Sequence, residues 1–154
     1  DRNKTTTISL QDSSSLYFPE NSLYENLDLN YSYSKGKFSL IHSIHNNRTP
    51  LHKSINLKLR YNNKLEPYKS KALVVSIDDK GRRSSVGGRL EGRYIVCSVS
   101  NFGTYTVDID TIAPVCKAKN FISGNRIKPK QKNIQVKRSD NLSGISSYNA
   151  YLNG

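Results

Sequence analysis

All three histidines of this 154-residue chain fall between positions 42 and 52. Imidazoles at such short spacing are the raw material of a zinc site, so the first question is whether the backbone can aim His42, His45 and His52 at one ion. The stretch Ser-Leu-Ile-His-Ser-Ile-His alternates Leu40, His42 and Ile44 against Ile41, Ser43 and His45. Successive side chains of a strand point to opposite faces, which separates His42 from His45. His52 lies beyond Pro50, in the turn before the next strand. Asp28 and Glu66 are available as oxygen ligands, but no short motif ties them to the histidines. The expectation is therefore three structural histidines, no metal site and no cofactor.

Nucleophilic chemistry has no better footing. There is no Gly-x-Ser-x-Gly elbow, and neither Cys97 nor Cys116 has a histidine beside it in sequence. The glycine-rich run Ser85–Gly92 lies between two strands, so it lacks the helix N-terminus of a phosphate cradle and reads as a hairpin turn. Asp78–Asp79 sits beside Gly81, where aspartate favours turns. Asp108 and Asp110 share the polar face of a strand. The two cysteines fit no ribbon or redox spacing. A bridge between them needs an oxidising compartment, and two buried, inert thiols are the expected state. No catalytic residue is expected in this chain.

Charge is the other candidate chemistry. The formal net charge is +12, with 16 Lys and Arg against 11 Asp and Glu over residues 1–110, and 8 against 1 over residues 111–154. Such asymmetry suits polyanions, and it singles out Lys128, Lys130, Lys132, Lys137 and Arg138 as expected contacts. The alternative is a solvated face that keeps the protein soluble. Aromatic residues do not interleave with these cations, so no base-stacking platform for nucleic acid is visible.

The elements that must carry these groups are strands. Ile55, Leu57, Leu59 and Tyr61 alternate with Asn56, Lys58 and Arg60, the pattern of a half-buried strand. Leu27–Tyr33 and Tyr105–Ile109 repeat it. Ala72–Asp78 and Arg93–Ser100 are more continuously apolar and read as central strands. Thr-Ile-Ser-Leu and Leu-Tyr-Phe-Pro add two short ones, and only Asn21–Leu27 offers a helical turn. The fold class expected is all-β: an antiparallel β-sandwich over 1–112, then a partial immunoglobulin-like β unit over 113–154 with strands near Ile122, Ile134–Val136 and Ser147–Leu152. Leu57, Leu59, Val75, Ile77, Val96, Tyr105 and Val107 are the expected core. Some 40 residues bury too little to fold alone, so the second unit reads as truncated. A chain from Asp1 to Gly154 also reads as a piece whose export leader, if any, has gone. No apolar run approaches the ~20 residues of a membrane helix, and the polar, tyrosine-rich composition suits a periplasmic, cell-envelope or extracellular protein.

Four ordered blocks, "LYFPENSLYENLDLNYS", "IHNNRTPLHKSINLKL", "KALVVSIDDKGRRSSVGG" and "NFGTYTVDIDTIAPV", resemble the accessory region that follows the catalytic domain in lysostaphin-type zinc metallopeptidases of Bacteroidetes. The closing "SDNLSGISSYNAYLNG" resembles the start of the immunoglobulin-like domain found next. Those peptidases hold zinc with His-x-x-x-Asp and His-x-His. Here Asn46, Thr49 and Asn56 stand four residues after the three histidines, and no His-x-His occurs. The resemblance implies a non-catalytic accessory or spacer module of a peptidoglycan endopeptidase, with a catalytic domain in cis and anionic cell-wall polymer as partners. The other reading is a surface adhesin or glycan-binding sandwich attached to no enzyme.

Overall fold

The computed structural model describes residues 2–122, 124, 130–145 and 147–151. The chain divides into two compact units, Asp1–Asp110 and Thr111–Gly154. The first is an all-antiparallel β-sandwich. One sheet has the order β1 (Thr6–Ser9), β2 (Ser15–Phe18), β5 (Pro50–Arg60), β9 (Tyr94–Asn101) and β8 (Arg89–Glu91). The other runs β3 (Tyr31–Lys35), β4 (Leu40–Ile44), β10 (Gly103–Ile109), β6 (Ala72–Ile77) and β7 (Arg83–Gly87). Leu16, Leu57, Leu59 and Ile95 from the first sheet and Ile44, Val74 and Val107 from the second join one buried cluster, as the two inner faces of a sandwich must.

Alternation placed β5 correctly: Ile55, Leu57 and Leu59 are buried, Arg60 is exposed, and Leu57 lies opposite Leu16 and Cys97. Val75, Tyr105 and Val107 are buried as expected, whereas Ile77 and Val96 are only half-buried. In β9 the inward residues are Ile95, Cys97 and Val99. A strand apolar on both sides gives no period from which to tell its faces. Thr106, expected on a polar face, is also buried, because its hydroxyl bonds Ser39 Oγ at 2.9 Å and the Leu40 carbonyl at 3.1 Å.

Other elements differ from expectation for local reasons. The strand expected from Leu27 begins only at Tyr31, while Leu27 and Leu29 pack against the core from an irregular segment. Asn21–Leu27 is not helical: Ser22 O accepts the His52 N–H at 2.8 Å and Leu23 bridges to Leu51, so its hydrogen bonds go to β5. Helical turns occur instead as 3-10 segments at Gln11–Ser13 and Asn63–Lys71. The longer one is capped by Asn62, whose side chain accepts the Lys64 N–H, and is anchored by buried Leu65. None of the described helices is long and apolar enough to cross a membrane.

Gly87–Gly88 is not a hairpin turn. β7 pairs with β6 in one sheet and β8 pairs with β9 in the other, so the two glycines carry the chain from sheet to sheet. Hairpin and crossover share the same small, left-handed-tolerant residues, and composition cannot separate them. The Asp78 turn does form: its carboxylate accepts the Lys80 and Arg82 N–H groups at 3.0 and 2.8 Å.

Both cysteines are free. Cys97 is buried, but Cys116 is exposed on β11 (Val115–Ala118), which corrects the expectation of two buried thiols. Burial pushes the Cys97 thiol up to about 12. Since the thiolate is the reactive form, a thiol reagent at neutral pH should modify one cysteine rapidly in the native protein and two in denaturant. Rapid modification of both without denaturant would show that β9 opens.

Among the described residues, the second unit holds a single two-stranded sheet, β11 with β12 (Val136–Ser139), exposed along its length. The strand expected over Ile134–Val136 forms shifted along the chain, as β12 from Val136; none forms at Ile122 or over residues 147–151, and Leu152 lies outside the described residues. Beyond β12, Asp140 Oδ2 accepts the Leu142 and Gly144 N–H groups at 3.0 and 2.8 Å, with Gly144 at φ 84°.

Candidate functional site

The histidines are drawn into the sandwich one by one. His42, in β4, is fully buried. Its Nδ1 lies 2.8 Å from the Tyr31 hydroxyl, whose oxygen accepts the Gln11 N–H at 3.2 Å. The histidine tautomer sets which of the two, Tyr31 hydroxyl or Nδ1, donates in this bond. Nε2 has no hydrogen-bond partner among the described residues and lies 4.0 Å from Asp12 Oδ1. His45, just past β4 at φ 52°, accepts the Asn30 N–H, sets Nε2 3.0 Å from Thr49 Oγ1, and meets Phe102 edge-on. His52 stands within β5 and not in a turn before it, because its N–H and Leu51 are already paired to the Ser22–Leu23 segment; it donates through Nδ1 to the Asn21 carbonyl at 2.9 Å and packs on Tyr24. No group of three His, Cys, Asp or Glu able to hold a metal occurs among the described residues.

Burial holds the His42 imidazole below its ordinary pKa, with Asp12 opposing. A folded-state value below the unfolded 6.5 means that the unfolded chain binds more protons between the two. Stability should therefore fall as pH drops through 6.5, by at most about 1.4 kcal/mol per pH unit, and level off below the folded value. Urea unfolding of wild type and His42→Gln across pH 5–8 should show this slope only in wild type; parallel curves would remove His42 as its source.

Among the described residues, the cations of the C-terminal tract do not all share one face. Lys128 lies outside the described residues. Lys130 and Lys132 are exposed in irregular chain. Lys137 and Arg138 are neighbours on β12 and so point to opposite sides. Arg138 covers the Tyr148 ring at 4.0 Å, and Lys137 stands opposite Lys117.

In the first unit, by contrast, four cations meet at one open groove of about 880 Å³. Lys35 comes from the end of β3, Arg60 from the end of β5, Lys64 from the 3-10 segment and Arg93 from the β8–β9 turn. Buried groups pin each wall. Ser14 donates its hydroxyl to Asp12 Oδ1 at 2.7 Å and accepts the Arg60 N–H at 2.9 Å, which fixes the left-handed Asp12–Ser13 turn (φ 59° and 68°) against β5. Tyr61 is buried, and its single hydroxyl proton is shared between Gly92 O at 3.1 Å and Glu66 Oε1 at 3.2 Å. It thereby ties the end of β5 to the turn carrying Arg93, and burial and then Glu66 raise its phenol pKa. Gly36 closes the floor, where a Cβ would come within 2.3 Å of Ser39 O.

None of the ion pairs Lys69–Glu66, Arg82–Asp78, Arg83–Asp108 and Arg89–Glu91 includes a groove cation. Among the described residues, Arg60 reaches a backbone carbonyl, that of Asp12, at 3.5 Å, and Arg93 bonds the neutral Asn63 amide. Sequence reading missed this site because its cations are scattered from position 35 to 93, each resembling ordinary surface charge.

Two five-stranded antiparallel sheets with a cation-lined groove at one end define an all-β sandwich module. A family model for the Zu5-like domain matches residues 2–110, and the chain belongs to that family. No curated protein and no solved structure matches the chain.

Proposed function

We propose that this chain is a non-catalytic accessory module of a secreted cell-wall metallopeptidase, working in the periplasm, the envelope or outside the cell. The observation that carries this reading is the commitment of all three imidazoles to the sandwich's own bonds and packing. Those contacts support reading the histidines as structural, with contact as the module's contribution. The four sequence blocks that resemble the region behind lysostaphin-type catalytic domains supply the expected context. The module's partners are that catalytic domain in cis and an anionic wall polymer, met by positive surface in the Lys128–Arg138 tract or in the groove.

The groove itself favours a second reading, a surface glycan-binding module linked to no enzyme. The coding sequence upstream of Asp1 separates the two: a His-x-x-x-Asp and His-x-His domain belongs to the first only. In such a parent enzyme, deleting residues 2–110 should slow hydrolysis of intact wall about tenfold or more, through lost local concentration, and leave cleavage of a soluble peptide unchanged. Equal loss on both substrates would make the module part of the catalytic fold.

A further inference from the structure

The geometry points to the groove of the first unit as a binding site for an acidic saccharide, with Lys35, Arg60, Lys64 and Arg93 holding its anionic groups and Tyr33 packing on a sugar ring. The inference rests on the part of the proposed function that brings the module to an anionic polymer, and it places the contact in the groove and not in the C-terminal tract.

Charge is the first argument. Like charges drawn from four elements into one concavity repel, and a fold ordinarily offsets such convergence with carboxylates. Here Asp12 is the one acidic side chain among the groove's lining residues, against four cations. The groove thus holds a standing positive field that an anion would neutralise. Arg93 is oriented by the Asn63 carbonyl, so its remaining N–H donors are held in place for a carboxylate or phosphate, a planar match that arginine makes well.

Shape and aromatic surface narrow the ligand. Tyr33 is 53% exposed and stacks on Tyr31, with ring centroids 6.1 Å apart at 27°. Tyr31 is in turn held between Gln11 and buried His42. A ring that is flat, supported from behind and wet in front can take the apolar face of a sugar, and its hydroxyl can remain hydrated. A single-stranded nucleic acid would need several such rings in succession; the groove lining offers one exposed ring, since Tyr61 is buried. The volume falls within the range of ligand clefts, too large for a lone ion and suited to a few linked sugars.

Titration calorimetry of the full chain tests this, with oligogalacturonate as the carboxylated probe, wall teichoic acid as the phosphodiester probe, neutral chitooligosaccharide and oligo-dT. The expected result is binding of an anionic probe, weaker at higher salt, with none to the neutral sugar. Arg93→Gln and Tyr33→Ala should each weaken it about tenfold, at unchanged thermal midpoint because both side chains are exposed. Preference between the two anionic probes tells carboxylate from phosphate recognition. The Gln variant at Lys128, Lys130, Lys132, Lys137 and Arg138 should bind as wild type does. If that variant alone loses binding, the groove assignment is overturned while the envelope-contact reading stands. Failure of wild type to bind either anionic probe overturns both. Tighter binding of oligo-dT, lost in Tyr33→Ala, overturns the saccharide assignment.

Discussion

Leu57→Ala should lower the unfolding free energy of the first unit by about 2–5 kcal/mol. Leu57 is completely buried in β5, with Leu16 of β2 on one side and Cys97 of β9 on the other. Backbone pairing on both flanks keeps the strand from collapsing into the space left by the truncation, which sets the cost toward the upper end. Lys58, the next residue, faces the other way, with its ammonium 4.4 Å from the Tyr94 ring centroid. Lys58→Ala should cost below about 1 kcal/mol, the worth of an exposed cation–π contact. Urea unfolding of the two variants beside wild type checks both values. A larger effect at Lys58 than at Leu57 would mean that β5 is shifted by one residue, with every facing assignment reversed.

Gly88→Ala should be the other severe substitution. At φ 133° the backbone is in a region that L side chains rarely enter, and an added Cβ would lie 2.7 Å from Ile95 Cγ2 and 3.3 Å from Val96 O. Ile95 is itself fully buried and cannot turn aside. Backbone strain contributes roughly 1–3 kcal/mol, and overpacking a similar roughly 1–3 kcal/mol. The adjacent Gly87 provides the control: its φ is 84°, and a Cβ there would meet nothing within 4 Å. Gly87→Asn should change stability by less than about 1 kcal/mol, since asparagine tolerates left-handed backbone. Equal losses at both glycines would show that the sheet-to-sheet crossing needs flexibility at its whole length and not room at one point.

How far the sequence speaks for itself varies with the element. β5 and β10 declared their faces because their polar and apolar residues alternate. β9 did not, since Ile95 and Val96 are equally apolar and only the partner sheet decides which one turns inward. That His42 shares a strand face with Leu40 and Ile44 followed from the alternation, but its complete burial did not. Its partners Tyr31 and Asp12 did not, because they come from a separate strand and from a turn held in left-handed conformation by Ser14. The groove was the least legible. A dense tract such as Lys128–Arg138 draws the eye along the chain, whereas Lys35, Arg60, Lys64 and Arg93 become neighbours only when the ends of β3 and β5 and the β8–β9 turn are brought together.

The position of β10 bears on how the module comes to be made. It is the last strand of the first unit, yet it stands at the centre of its sheet, with β4 on one side and β6 on the other. As the polypeptide emerges from its N-terminus, β3–β4 and β6–β7 can form only as separate ribbons, each marginal by itself in water, until Gly103–Ile109 is available to join them. A nascent chain ending before that point carries open edges on both ribbons, and the long loops that β10 closes make the final step slow. The second sheet therefore cannot close until its tenth strand arrives, although every strand of the first sheet precedes it in the chain.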